Sequence, residues 1–309
     1  MKRFLCKVFI LLIPCAIFML IGNLLYIQTN WWKSENHINK FATIPYNLVL
    51  GNLGSSHGNF GIKYDAVPEI NAWNFALDSQ PYFYDHAVLE NYINHFSEHA
   101  VVVILVSYFE ITRLPDYAAY RSRYYRILPK EKLDFYSWKE NVFYKQIPFL
   151  SAGRNRLKVF RDIPTAQMTP YYNREKFLDE EKLHTYCIDK HTAWTTQGKE
   201  SSPQQGYEEN FSTVSAIIDL CHEHNLRPVL VTTPITDVLN DIYEKDGTFF
   251  DTFYRFTQEL CEKYPDVKYL DYSHDKRFSE NHTLFADGDH LNNFGAEKFT
   301  KVLVADLEI

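Results

Sequence analysis

Residues 101–106 read Val-Val-Val-Ile-Leu-Val, an apolar run with no polar residue inside it. A strand that is apolar on both faces has to be covered on both faces, and that is the position of a central strand in a parallel sheet flanked by helices. Four further segments read as strands of the same sheet: Tyr46–Gly51, Ile70–Leu77, Arg227–Pro234 and Val267–Asp271. Helical periodicity lies between and after them. Pro81 through Phe96 places Phe83, Val88, Leu89, Tyr92, Ile93 and Phe96 on one face, and Thr213–His224, Phe250–Lys263 and Gly295–Leu307 are amphipathic in the same way. Alternating strands and helices predict an α/β fold, a three-layer α/β/α arrangement around a parallel sheet. Such sheets bind ligands at the carboxyl ends of their strands.

With 309 residues, 46% hydrophobic and 23% charged, the chain is globular. It suits one large α/β domain with an elaboration better than two equal domains. The net charge of −7 and the absence of a basic run speak against nucleic-acid binding. The segment from Arg113 to Tyr207 has no sheet pattern and is rich in Tyr, Lys and Arg. It reads as a mostly helical insertion, at about 113–207, above the ligand-binding edge. Aromatic residues make up 16% of the chain, which packing explains and sugar stacking would also use.

The N-terminus carries its own signal. Lys2, Arg3 and Lys7 precede an apolar run from Val8 to Ile27, and about twenty such residues span a bilayer. Trp31 and Trp32 follow, where an interfacial aromatic belt would lie. The expectation is a membrane anchor over 1–30, a linker over 31–45 and the main domain over 46–309. The flanking positive charges put Met1 in the cytoplasm and the main domain outside it, in the periplasm or at the cell surface. A cleaved signal peptide fits less well, because the run is long and no small-x-small site follows. Cys187, Cys221 and Cys261 match no zinc pattern. An outside location permits a Cys221–Cys261 disulfide, but an odd thiol would remain, and free buried cysteines fit better.

Chemistry-bearing residues converge on one edge. Ser56 follows the first strand in Gly54-Ser55-Ser56-His57-Gly58, and Asp287 and His290 fall between the last strand and the last helix in Asp287-Gly288-Asp289-His290. A serine hydroxyl is a weak nucleophile, and it needs an imidazole to take its proton and a carboxylate to orient that imidazole. Ser55 is a second candidate nucleophile, and Asp289 a second candidate carboxylate that neighbour geometry would point elsewhere. His57 reads as structural or substrate-facing. Asn210-Phe211-Ser212 and Asn281-His282-Thr283 have the form of glycosylation acceptors.

In these blocks the chain resembles the SGNH (GDSL-like) hydrolase superfamily, over roughly residues 46–110 and 210–307. The resemblance aligns Ser56 with the nucleophile, His290 with the general base and Asp287 with its partner. Ser55 stands where the superfamily usually has Asp. It implies an oxyanion hole from the N–H of Ser56 and of Ser79, the latter at the usual Gly position of Asn74-Phe75-Ala76-Leu77-Asp78-Ser79. The third block departs: Ser107 stands near where an Asn donor is usual, and only its hydroxyl could substitute. The implied fold is flavodoxin-like. With an anchor, the chain is similar to cell-envelope polysaccharide O-acyltransferases and D-alanyl transfer proteins. That similarity implies an acyl-serine intermediate, an acylated or acceptor glycan, a multi-spanning membrane acyltransferase as partner, and no metal or cofactor. Esterase and acyltransferase chemistry both fit. The alternative is a non-catalytic glycan-binding or scaffold protein on a decayed fold of this type, favoured by the missing Asn.

Overall fold

The structure, a computed structural model, describes residues 2–29, 32, 38–114, 116–160, 178–197 and 203–309. Trp31, half of the expected aromatic belt, lies outside the described residues. The chain divides into two compact units: residues 1–43 with 117–171, and residues 44–116 with 172–309.

The second unit holds the sheet. Its strands are β1 (Leu48–Asn52), β2 (Ala72–Asn74), β3 (Phe96–Leu105), β4 (Arg227–Thr232) and β5 (Lys268–Asp271). They pair in the order β2-β1-β3-β4-β5, all parallel. The parallel sheet expected from the two-sided apolar run is therefore present, with that run at its centre. In this order the chain moves outward from β1 to β2 and then crosses back to β3. The β1/β3 boundary is thus the switch point, the position at which open parallel sheets commonly bind ligands.

Nine helices of the described residues are numbered here. α1 is Lys2–Tyr26, α2 Ser56–Gly61, α3 Tyr82–Tyr92, α4 Tyr117–Ile127 and α5 Glu180–Gln197. α6 is Pro203–Glu223, α7 Asp237–Asp246, α8 Thr248–Lys263 and α9 Asn293–Asp306. The period of two along β3 sends Val101, Val103 and Leu105 to one face, where they pack with Phe285, Phe299 and Leu303 around α9. Val102 and Ile104 point the other way and are equally buried, on the side where α6 packs on β4 and α3 packs on α6. The sheet is dry on both faces because both are covered.

α9 is fixed at its start. Asn292 caps it by accepting the Gly295 N–H at 3.0 Å. A Cβ at Gly295 would meet the Leu284 carbonyl oxygen at 2.1 Å, so only glycine permits this approach. Gly295→Ala is expected to destabilise the sheet unit by about 1–3 kcal/mol, read as a lower urea midpoint. An unchanged midpoint would contradict the packing described here.

The first unit groups α1 with the front part of the insertion. Asn23 Oδ1 accepts the Phe149 N–H at 3.2 Å, and the Phe149 ring lies against Gly22. Trp32, expected in an interfacial belt, is instead 7% exposed, 5.3 Å from the Tyr26 ring and 4.3 Å beneath the Arg126 guanidinium. The expected membrane-spanning helix is not supported: among the described residues, no helix is long and apolar enough to cross a membrane. Cys15, Cys187, Cys221 and Cys261 are free thiols, so the Cys221–Cys261 disulfide does not form. Asn210, read as part of a glycosylation-type triplet, is buried and donates to the carbonyls of Glu110, Ile111 and Arg113. It ties α6 to the loop after β3.

Candidate active site

The corner after β1 is held from below. Gly54 has φ +123°, a conformation side chains resist, and its N–H donates to Asp85 Oδ1 at 2.8 Å. Asp85 lies on α3 and is fully buried; burial pushes its carboxyl up to about 7, against the pull of the Gly54 N–H and the Gln80 amide. Ser55 precedes α2 in an extended conformation, and Ser56 opens the helix. Asn59 Nδ2 donates to Asp78 Oδ1 at 2.6 Å, and Asn74 Nδ2 donates to the Gly58 and Ile62 carbonyls. The corner that carries Ser56 is therefore stitched to β2 and the turn after it. Asp85→Ala would strand the Gly54 donor. It is expected to cost about 1–3 kcal/mol, visible in chemical unfolding; an unchanged midpoint would count against this anchoring.

The opposite wall is the loop 285–291. Its ends meet at the Phe285–Leu291 bridge, with Ala286 N–H donating to the His290 carbonyl at 2.9 Å. Thr236, at the start of α7, donates both its N–H and its hydroxyl to the Gly288 carbonyl. Asp287 Oδ1 accepts the N–H of His290 at 2.8 Å and of Asp289 at 3.2 Å.

Between these walls three predicted residues meet. Ser56 Oγ lies 2.9 Å from His290 Nε2, and His290 Nδ1 lies 2.9 Å and 3.1 Å from the two Asp287 oxygens. Ser56 and His290 are half-buried. Ser55, the second candidate nucleophile, is buried and not joined to the imidazole. Ser79 sits in the exposed turn after β2 at φ +51°, the left-handed region that glycine favours. Ser107 is buried just beyond β3, its N–H donating to the Tyr82 hydroxyl at 3.4 Å. Among the described residues neither Ser79 nor Ser107 hydrogen-bonds to Ser56, His290 or Asp287.

The expectation that Asp289 points elsewhere is corrected. Its carboxylate is 1% exposed and lies 3.3 Å from His290 Nδ1. Turning inward at this position is possible because the loop closes on α5, whose Cys187 Sγ lies 2.7 Å from where a Cβ on Gly288 would be. His57 is also buried, its ring stacked on that of His290 at 4.7 Å and 13°. Burial lowers the His57 pKa, against the Asp289 carboxylate 3.4 Å from its Nε2, which raises it. For His290, burial works against the charge, but Asp289 and Asp287 outweigh it and the imidazole is pushed up to about 9. Sequence reasoning missed Lys190 and Tyr186 of α5, which reach this carboxylate cluster. Nothing in their local pattern marks them, since the contact joins residues about a hundred positions apart.

This arrangement can move a proton from a hydroxyl to an imidazole that a carboxylate holds in place. No protein-family model matches the chain, and no curated protein matches it. The chain is similar to solved GDSL-like lipase and acylhydrolase structures. One is a provisionally named acylhydrolase from Bacteroides fragilis, at 11% identity over 90% of this chain and 98% of that one, with a TM-score of 0.42. Another is a GDSL-like lipase from Bacteroides thetaiotaomicron, at 10% identity over 89% and 96%, also 0.42. A third is a provisionally named platelet activating factor from Streptococcus pneumonia, at 13% identity over 95% and 99%, with 0.41. The geometry of Ser56, His290 and Asp287, rather than this distant likeness, supports the functional reading that follows.

Proposed function

We propose that the chain is a serine acyl enzyme of the SGNH type. Ser56 is the nucleophile, His290 the general base and Asp287 the group that orients it. The supporting observation is the continuous relay from Ser56 Oγ through both ring nitrogens of His290 to Asp287. Ser56 Oγ attacks an acyl carbonyl carbon as its proton passes to His290 Nε2. The oxyanion faces the N–H groups of Ser56 and Ser79 and the Ser107 hydroxyl. When the tetrahedral species collapses, His290 returns the proton to the leaving alcohol and an acyl-Ser56 ester remains. His290 then deprotonates an incoming hydroxyl, of water or of a sugar, and Ser56 is regenerated. The scheme uses no metal or cofactor.

A cell-envelope or exported glycan as substrate, a multi-spanning acyltransferase as partner and an extracytoplasmic location are parts of the same proposal. Membrane attachment through α1 is supported by its apolar side chains: Ile10, Ile13, Phe18, Leu20 and Leu24 are each more than half exposed. The test is to incubate the full chain, in detergent, with an aryl acetate and an oligosaccharide. Release of the aryl alcohol supports catalysis, and acetyl appearing on the sugar rather than as free acetate marks a transferase. Glycan binding with no release favours the non-catalytic alternative.

The base must be neutral to accept a proton. Its two carboxylates favour the charged imidazolium, so kcat/KM is expected to rise with pH well beyond the ordinary histidine range, with its midpoint near 9. A midpoint near 6.5, the ordinary histidine value, would contradict this electrostatic account.

A further inference from the structure

Asp289 is more than a bystander in the relay. Its Oδ1 lies 3.3 Å from His290 Nδ1, and its Oδ2 lies 3.0 Å from Lys190 Nζ and 3.4 Å from His57 Nε2. Tyr186, one turn before Lys190 on α5, donates to Asp289 Oδ1 at 3.4 Å and accepts from Lys190 Nζ at 3.3 Å. A carboxylate buried this deeply needs charged or hydrogen-bonding partners, and Asp289 receives its ammonium from the inserted segment rather than from the sheet. The Trp194 ring lies 5.4 Å from the same ammonium and 4.0 Å from the Phe109 ring, which itself packs 5.0 Å from His57. Lys190 is therefore held in place by α5 packing on the loop after β3.

The charges have a simple consequence. With His290 neutral, Asp287, Asp289 and Lys190 sum to one negative charge. When His290 takes the proton from Ser56, the cluster becomes neutral. A buried cluster that reaches neutrality as the proton moves favours that movement. Resting on the acyl-enzyme reading above, we propose that Lys190 and Asp289 form a positioning pair through which helix α5 of the insertion sets the basicity of the His290 imidazole. Asp289 strengthens the base, and Lys190 restrains Asp289 so that the base is not held permanently protonated. Other groups around His290 are Asp287 and Ser56, which it bonds directly, and His57, stacked on it. Tyr108, Tyr243 and Cys187 act on Asp289 from further off, and burial raises each of their pKa values, so they add no charge in the neutral range.

The two substitutions have opposite expected signs, which a merely structural role would not give. The titration of the His290 ring is followed by NMR in the full chain carrying Ser56→Ala, with His290→Gln used to assign its signal. Asp289→Asn is expected to lower the midpoint by about one unit or more, and Lys190→Met to raise it by about one. Lys190→Arg is expected to restore the parent value. The near-isosteric Asp289→Asn decides the matter by itself: a midpoint equal to the parent's overturns the proposal, as does a Lys190→Met midpoint that falls. Aryl acetate turnover by the chain with and without Ser56→Ala tests the acyl-enzyme reading separately. Turnover that survives Ser56→Ala removes that reading and leaves the titration result standing.

Discussion

Ser56→Ala is expected to reduce aryl-ester turnover by roughly 10⁴–10⁶-fold, the range seen when the nucleophile of a cooperating triad is removed. The side chain lost is small and half-buried, and its hydroxyl is bonded to His290 Nε2 at 2.9 Å. Nothing in the core depends on it, so the melting temperature is expected to stay within about 2 °C of the parent's. The loss should fall on kcat, because Ser56 acts on the reacting carbonyl and contributes little to holding substrate. A parent-like kcat in Ser56→Ala would assign the chemistry to another residue.

Asp287→Asn is the second large effect, expected at roughly 10²–10⁴-fold in kcat. Its upper bound is set by what Asp287 does: it holds Nδ1 at 2.9 Å and also accepts the N–H of His290 and Asp289, fixing the loop. Its lower bound is set by Asp289, whose carboxylate stands 3.3 Å from the same nitrogen and can take over part of the orienting role. Asp287→Asn combined with Asp289→Asn is therefore expected to lose more than the product of the separate losses, since the two residues cover for one another. Strictly multiplicative losses in kcat would argue that the carboxylates act independently.

The fold was readable where its physics is local. The unbroken apolar run of β3 could be buried only by helices on both faces, and the strand ends then fixed which edge would collect Ser56, Asp287 and His290. Helix boundaries were less visible. α6 begins at Pro203 rather than Thr213, and α7, only ten residues long, shows its apolar face over fewer than three turns. Features set by distant contacts were not readable. Asp289 turns inward because α5 brings Lys190 and Tyr186 to it across about a hundred residues. Trp32 is covered by Arg126, and Asn210 is claimed by three carbonyls after β3. No short motif encodes such partners. The third-block departure at Ser107 remains visible in the structure, where the Ser107 N–H is engaged by Tyr82.

The most direct measurement is the mass of the Ser56 peptide after brief exposure of the full chain to an aryl acetate and acid quench. An acetyl group on Ser56, absent in Ser56→Ala and strongly reduced in His290→Ala, is the predicted result. Turnover with the acetyl group on a different side chain, or no acetylation under any pH tried, would contradict the claim that these two residues form an acyl-transfer couple.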